Sequence, residues 1–356
     1  MPDPGRDVAL AGRPRLPLST GVVIMIMTMT FDEQSAVSTR SRHSTAAGGC
    51  HPSAPRPLGS GSRVIAAAAV GLFAVGVLGV LGAAHAATTE SVRIRFAAEV
   101  GQAPFACGQT YGGIGTTGSS VTPTDFRFFV SDVSLIRSDG QAVPVTLDQD
   151  GTWQYRNVAL LDFEDGTGPC RNGNPALNSE IRGKVPKGAY AGLRFTLGVP
   201  FELNHGDPTL AASPLNITSM FWVWKAGYKF LKIDMASSGQ PDKRLDYATG
   251  NPAVEKEKAV GFPVHLGSAG CASASLTTPP TSCKFPNRPA VSFDHFDRKR
   301  NVVVADLAAL LRNSNVDTNT PNTAPGCMSE PTDPDCDGVM QALGLRDGPQ
   351  QFFHVR

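Results

Sequence analysis

Apolar and polar residues alternate along much of the chain after residue 87, and a period of two is typical of half-buried β-strands. Helical periodicity is confined to residues 304–313 and 338–343. We therefore expect an all-β sandwich or barrel of about eight or more strands, with long disulfide-linked loops and one or two short helices. The predicted strands are residues 92–100, 125–137, 153–162, 188–197, 221–234, 262–266, 290–296 and 301–306.

A different pattern precedes these strands. Residues 64–82 are apolar and uncharged, follow Arg56 and Arg63, and lead into Ala84-His85-Ala86. A basic flank, an apolar run and a small-residue cleavage pattern are typical of a secretory signal. We predict a signal peptide over residues 64–86, a mature domain over 87–356, and a periplasmic location. An uncleaved membrane anchor is the alternative, because the run is long enough to span a bilayer.

The segment ahead of the apolar run, residues 1–63, is rich in Pro, Ser, Thr and Arg and has no sustained periodicity. It is expected to be a disordered extension or to reflect a mis-assigned start of translation.

Charge limits the kind of partner. The chain holds 32 Lys and Arg against 31 Asp and Glu. Residues 1–86 contain seven of the basic and four of the acidic residues, which leaves 25 basic and 27 acidic side chains in the mature part. This balance does not suggest a nucleic-acid surface. We expect no nucleic-acid partner and, after signal cleavage, no membrane association.

Six of the seven cysteines follow residue 86, and an even number in an exported chain is typical of disulfides. Sequence alone allows many pairings. We favour Cys107–Cys170, Cys271–Cys283 and Cys327–Cys336, because the last two pairs close short loops rich in Pro, Ser, Thr and Gly. A cysteine metal site is the weaker alternative, since no C-x-x-C motif is present.

Only four histidines follow residue 86: His205, His265, His295 and His354. Any imidazole-based site in the mature domain must draw on them. The sequence contains no G-x-S-x-G elbow, P-loop, H-E-x-x-H or haem-attachment motif, so hydrolase, nucleotide-dependent and haem-bearing functions lose support.

Residues 220–230 contain two of the three tryptophans. If this segment is a strand, Met220, Trp222 and Trp224 lie on one face. Core packing is one interpretation. A soft-metal site is the other, because thioether and imidazole ligands together favour Cu(I). His205, in a turn before this segment, and His265, at the end of an apolar run, are each more typical of a solvated or buried histidine when taken alone.

Carboxylates cluster near the C-terminus, where Asp333, Asp335 and Asp337 lie close to Glu330. Oxygen donors of this kind suit calcium, although the spacing of an EF-hand loop is absent. Calcium is therefore a second candidate ion.

Several segments taken together resemble the MbnP-type proteins, also called metallo-mystery pair four-Cys proteins. The resemblance covers nearly all of the mature chain, and its W-x-W-x-x-G-Y-K-F and H-L-G-S-x-x-C elements are specific in combination. The matching runs are residues 104–108, 125–133, 160–165 through Cys170, Asn204-His205, 220–230, and 265–268 through Cys271.

The resemblance implies a periplasmic copper-binding protein, with residues 87–356 as its β domain. It also implies a partner, a dihaem protein of the cytochrome c peroxidase type (MbnH), which oxidises a tryptophan to kynurenine. Carried onto this sequence, copper is held by His205, His265 and Met220, with oxidised Trp222 or Trp224 completing the site. Cys327 and Cys336 exceed the four cysteines of the family name.

Two other functions stay open at this stage. The chain could be a metal-free extracellular interaction module in which the Met/Trp segment is core. It could also be a copper enzyme, but no paired histidine motif supports this. We expect a binding protein rather than an enzyme.

Overall fold

The computed structural model describes residues 88–171, 173–239 and 261–356, together with two strands inside the remaining gap. The predicted extension at residues 1–63 and the predicted signal peptide at 64–86 lie outside the described residues. Of the helices in the described part, none is long and apolar enough to cross a membrane.

Strands dominate the described residues. In chain order they are β1 Thr89–Val100, β2 Ala103–Pro104, β3 Tyr111–Ile114, β4 Ser119–Arg137, β5 Ala142–Pro144, β6 Thr146–Leu147, β7 Gln154–Tyr155, β8 Val158–Asp162, β9 Glu180–Pro186, β10 Tyr190–Leu197, β11 Leu231–Ser237, β12 Asp242–Asp246, β13 Asn251–Lys258, β14 Val264–Leu266, β15 Ala269–Ala272, β16 Ser282–Phe285, β17 Ala290–Phe293, β18 Val303–Asp306 and β19 Phe353–Val355. The helices are short: α1 Phe201–Asn204, α2 Leu307–Leu311 and α3 Asp337–Ala342, with 3-10 turns at Thr218–Met220 and Pro334–Cys336.

Two open sheets hold most of these strands. The smaller runs β19-β18-β1-β9-β6, and the larger runs β14-β11-β4-β10-β17. The long strand β4 is central to the larger sheet, because its first half pairs with β11, its middle with β8, and its second half with β10 and β5. The pairs β12-β13 and β15-β16 form two separate hairpins.

Aromatic rings from both sheets fill the core. Phe96 of β1 contacts Phe128 of β4 and Phe195 of β10, with ring centroids 6.2 and 5.7 Å apart. Phe353 of β19 packs on the same two rings. The architecture is therefore an all-β sandwich, and of the two predicted architectures the barrel is not the one observed.

The three predicted disulfides are confirmed: Cys107–Cys170, Cys271–Cys283 and Cys327–Cys336. The second joins directly opposed residues of β15 and β16. Such crosslinks limit the freedom of loops that bury little apolar surface of their own.

One predicted strand is wrong in most of its length. Of residues 221–234, only the part from Leu231 onward is strand, within β11. Met220 ends a 3-10 turn, and residues 221–230 form a tight loop. The predicted common face for Met220, Trp222 and Trp224 therefore does not exist.

Candidate metal centre

The loop that replaces the predicted strand is closed by its own backbone. The Trp222 amide donates to the Gly227 carbonyl at 3.1 Å, and the Gly227 amide donates to the Val223 carbonyl at 2.7 Å. Gly227 has φ of +80°, and a Cβ there would lie 2.6 Å from the Asn204 side chain. Glycine is required on both counts, so the W-x-W-x-x-G element encodes a turn that separates the two tryptophans.

A second glycine brings Trp222 against β14. A Cβ on Gly267 would lie 2.4 Å from the indole atom Cζ3 of Trp222. The glycine of the H-L-G-S element thus leaves room for the indole ring. The rings of Trp222 and His265 lie 6.3 Å apart between centroids.

These two rings line a cavity of about 650 Å³. Lys229, Met328 and Glu330 also line it. The Lys229 ammonium lies 5.9 Å from the centroid of the Trp222 ring, and burial lowers the pKa of Lys229 to about 8. The cavity therefore combines imidazole, indole, thioether, amine and carboxylate groups.

His265 is held in one protonation state by its neighbours. Its Nε2 donates to Oδ1 of Asp234 at 2.7 Å, which leaves the lone pair on Nδ1. Burial lowers the pKa of His265, although Asp234 acts in the opposite direction. A neutral imidazole oriented by a carboxylate is the form in which histidine binds metals.

Asp234 lies beside a row of ionisable side chains that crosses the larger sheet. His265, Lys232, Arg127 and Asp162 are successive register partners on β14, β11, β4 and β8. We call these four residues the charged row. Asp234 is paired with Asp125 in the same register.

Ion pairs connect the middle of the charged row. Lys232 Nζ lies 2.6 Å from Asp234 and also bonds Asp125, and Arg127 Nε donates to Asp125 at 2.9 Å. Arg127 is 1% exposed and Lys232 is 4% exposed. Two buried cations therefore face two buried or half-buried carboxylates.

The far end of the charged row is acidic. Burial raises the pKa of Asp162 to about 8, and the nearby Glu164 acts in the same direction while Arg127 opposes it. Among the residues that the structure describes, Oδ2 of Asp162 has no hydrogen-bond partner. At neutral pH the protonated form of Asp162 predominates, which reduces the cost of burying it.

Met328 is a cavity residue that sequence reasoning missed. Its neighbour Ser329 accepts from the Gly267 amide and donates to the His265 carbonyl, each at 2.8 Å. The His265 amide in turn donates to the Cys327 carbonyl. In the sequence, the only feature that marks Met328 is its place directly after the predicted disulfide cysteine Cys327. This place does not reveal that the chain returns to β14.

His205 lies outside the cavity lining and is 5% exposed. Its Nδ1 donates to the Trp224 carbonyl at 2.9 Å, and its Nε2 accepts from Asn204 at 3.0 Å. Nε2 is 3.6 Å from Sγ of Cys283. The ligand atoms of His205, Cys271 and Cys283 lie within 4.8 Å of one another, with both sulfurs in the disulfide.

The other predicted site residues are dispersed. Met220 is fully buried in the core, and Trp224 does not line the cavity. His295 and His354 are exposed on other parts of the sandwich.

The predicted calcium carboxylates have separate partners. Asp333 accepts from the Asp335 amide, Asp335 accepts from Thr320, and Asp337 bonds Arg346. In the described residues, no three of these carboxylates form one oxygen cluster.

A family model for MbnP matches residues 89–329, more than half of the 356-residue chain. The chain belongs to the MbnP family. The solved structure of MbnP from Methylosinus trichosporium is 31% identical, with a TM-score of 0.64, and the match covers 75% of this chain and 98% of that chain. A comparison with curated proteins gave no match. The MbnP match includes both tryptophans of the loop, His205, His265 and Met328.

Breaking the middle of the charged row should destabilise this MbnP-family fold strongly. We expect Arg127→Met to lower the free energy of unfolding by about 3–5 kcal/mol, because it removes the ion pair of the buried Glu164 and leaves Asp125 paired with Lys232 alone. Urea unfolding measures this. Arg93→Met is the control. The Arg93 side chain is 63% exposed, so its ion pair with Glu180 should contribute less than about 1 kcal/mol to the free energy of unfolding. Equal losses in the two variants would contradict the importance of the charged row.

Asp162 should make stability fall as pH rises. Its folded-state pKa of about 8 exceeds the unfolded value of about 3.9, so the native state holds the extra proton between these values. Its contribution is largest below the unfolded pKa and is lost as pH rises towards 8. We expect Asp162→Asn to gain stability relative to wild type between pH 5 and 8, measured by urea unfolding. The exposed Asp139→Asn is the control. If the free energies of unfolding of Asp162→Asn and wild type differed by the same amount at every pH from 5 to 8, the raised pKa of Asp162 would be contradicted.

Proposed function

We propose that this member of the MbnP family is an exported copper-binding protein whose metal centre lies in the cavity beside His265. We further propose that a haem partner completes the site by oxidising Trp222 to kynurenine. The observation that carries the proposal is the meeting of Trp222, His265 and Met328 at one cavity.

The donor set fits copper. His265 presents an unprotonated Nδ1, and Met328 offers a thioether. Imidazole and thioether ligands together favour Cu(I), whereas calcium prefers oxygen ligands. His205 and Met220 remain predicted ligands from the family resemblance, although neither lines this cavity.

Trp222 is the proposed substrate because the other tryptophans lie elsewhere. Trp224 is not in the cavity lining, and Trp153 lines a separate pocket near β7. The proposed oxidation breaks the indole C2–C3 bond. Two molecules of hydrogen peroxide each supply one oxygen atom and are reduced to water, and hydrolysis then releases C2 as formate. The partner's haem carries out the oxidation, and the chain supplies the indole.

Export and partner choice belong to the same proposal. The three disulfides are typical of an oxidising compartment outside the cytoplasm. We propose a periplasmic protein, a dihaem partner of the cytochrome c peroxidase type, and a role in copper acquisition or handling rather than catalysis.

Oxidation should be specific to Trp222. After co-expression with the dihaem partner, intact-mass spectrometry should show a product about 4 Da heavier, because the haem enzyme converts one indole to kynurenine. Trp222→Phe should abolish this gain, and Trp224→Phe and Trp153→Phe should retain it. A gain that survives in Trp222→Phe would refute the choice of Trp222. No oxidation product under any condition would favour a metal-free interaction module.

Copper affinity should depend on the cavity donors. We expect His265→Asn and Met328→Leu each to weaken Cu(I) binding by about tenfold or more, equivalent to about 1.4 kcal/mol. Competition with a chromophoric Cu(I) chelator measures this affinity on protein whose Trp222 has been oxidised to kynurenine. His295→Gln and His354→Gln, which each remove an exposed imidazole, are the controls. Full copper retention in both His265→Asn and Met328→Leu would overturn the proposed site.

A further inference from the structure

A second group of ligand-type atoms lies beside this cavity, around the Cys271–Cys283 disulfide, and only Cys271 of the group also lines the cavity. From its geometry we propose that His205, Cys271 and Cys283 form a redox-gated site for a soft or borderline metal ion, Cu(I) or Zn(II). The site is closed while the disulfide is intact and opens when the disulfide is reduced.

The distances fit a metal centre. For a tetrahedral ion with metal–sulfur and metal–nitrogen bonds of about 2.3 and 2.05 Å, sulfur and nitrogen lie roughly 3.6 Å apart. Nε2 of His205 lies 3.6 Å from Sγ of Cys283. This nitrogen–sulfur pair therefore already has the separation that a shared ion requires, and only the two sulfurs must move apart.

His205 is prepared to act as a ligand. Its Nδ1 donates to a backbone carbonyl, that of Trp224, which places the lone pair on Nε2, the atom nearest the sulfur. A carbonyl that fixes the second nitrogen is a common support for metal-binding histidines. Asn204 donates to Nε2 at 3.0 Å and satisfies it while the disulfide is closed.

The disulfide can be reached from outside. Cys283 is only half-buried and lines a pocket with Phe201 and Arg288, whereas Cys271 lines the cavity of Trp222 and His265. The two half-cystines therefore line different spaces. A reductant can approach Cys283 without entering the proposed copper cavity.

The chemistry balances with a dithiol as reductant. The dithiol transfers two electrons and two protons to the Cys271–Cys283 bond and becomes a disulfide itself. The two new thiols then release two protons to solvent as their thiolates bind the ion, because the thiolate is the ligand form of cysteine. Thiolates with one imidazole are a donor set that suits Cu(I) and Zn(II).

Metal uptake before and after reduction tests the proposal on the purified, folded protein. Reduction with a phosphine under anaerobic conditions should add about one equivalent of Co(II), with an absorption band from thiolate-to-cobalt charge transfer, and Cu(I) should compete for the same site. His205→Asn and the double variant Cys271→Ser/Cys283→Ser should lose this added equivalent.

Two matched variants separate this site from general effects of reduction. Cys327→Ser/Cys336→Ser removes another short-range disulfide, with a separation of 9 residues against 12, and His295→Gln removes an exposed imidazole. Both should keep the added equivalent. His205→Asn retains every cysteine and so gives a result even if the double cysteine variant fails to fold.

The proposal is overturned if reduced, folded wild type binds no added metal, or if the added equivalent persists in His205→Asn. Copper uptake by protein with intact disulfides and an oxidised Trp222 tests the His265 cavity separately. Failure at one site therefore leaves the other unaffected.

Discussion

The arrangement of the candidate site depends on the ion pairs of the charged row, which cross four strands of the larger sheet inside the protein. An unpaired buried charge costs several kcal/mol, so Arg127, Lys232 and their carboxylates hold β4, β11 and β14 in one register. A slip by one residue would move each charge to the opposite face. The row ends at His265, where Asp234 fixes the imidazole tautomer at the cavity wall. The same contacts therefore stabilise the sheet and orient the His265 imidazole as a metal ligand.

The W-x-W-x-x-G-Y-K-F and H-L-G-S-x-x-C elements lie against each other in the structure, and one glycine in each element makes this contact possible. Gly227 permits the tight turn that presents Trp222, and Gly267 leaves room for the Trp222 ring beside His265. The segment after Cys327 returns to β14 and adds Met328 to the same wall. A site of this kind needs contacts between parts of the chain more than 100 residues apart. The disulfide Cys327–Cys336 lies next to the returning segment and limits its freedom.

Alternation along the chain predicted the sandwich well, because strands such as β1 and β9 have one buried and one exposed face. The pairings Cys271–Cys283 and Cys327–Cys336 were predictable from loop length and composition. The Met/Trp segment was predicted incorrectly, since its apolar residues match a strand by periodicity while Gly227 and the backbone bonds around it make a loop. Met328 could not be found from the sequence, because only tertiary structure places it near His265. The charged row was also hidden, as Arg127 and Lys232 occur in strands where charge usually indicates exposure.

The central claim is that the copper centre lies in the cavity between Trp222, His265 and Met328. A crystal structure of the copper-loaded, oxidised protein, with anomalous diffraction collected at the copper edge, locates the ion directly. The account predicts a single strong peak in this cavity, next to Nδ1 of His265 and to a kynurenine at position 222. A peak beside His205 with no density in the cavity, or copper bound only at the protein surface, would contradict it.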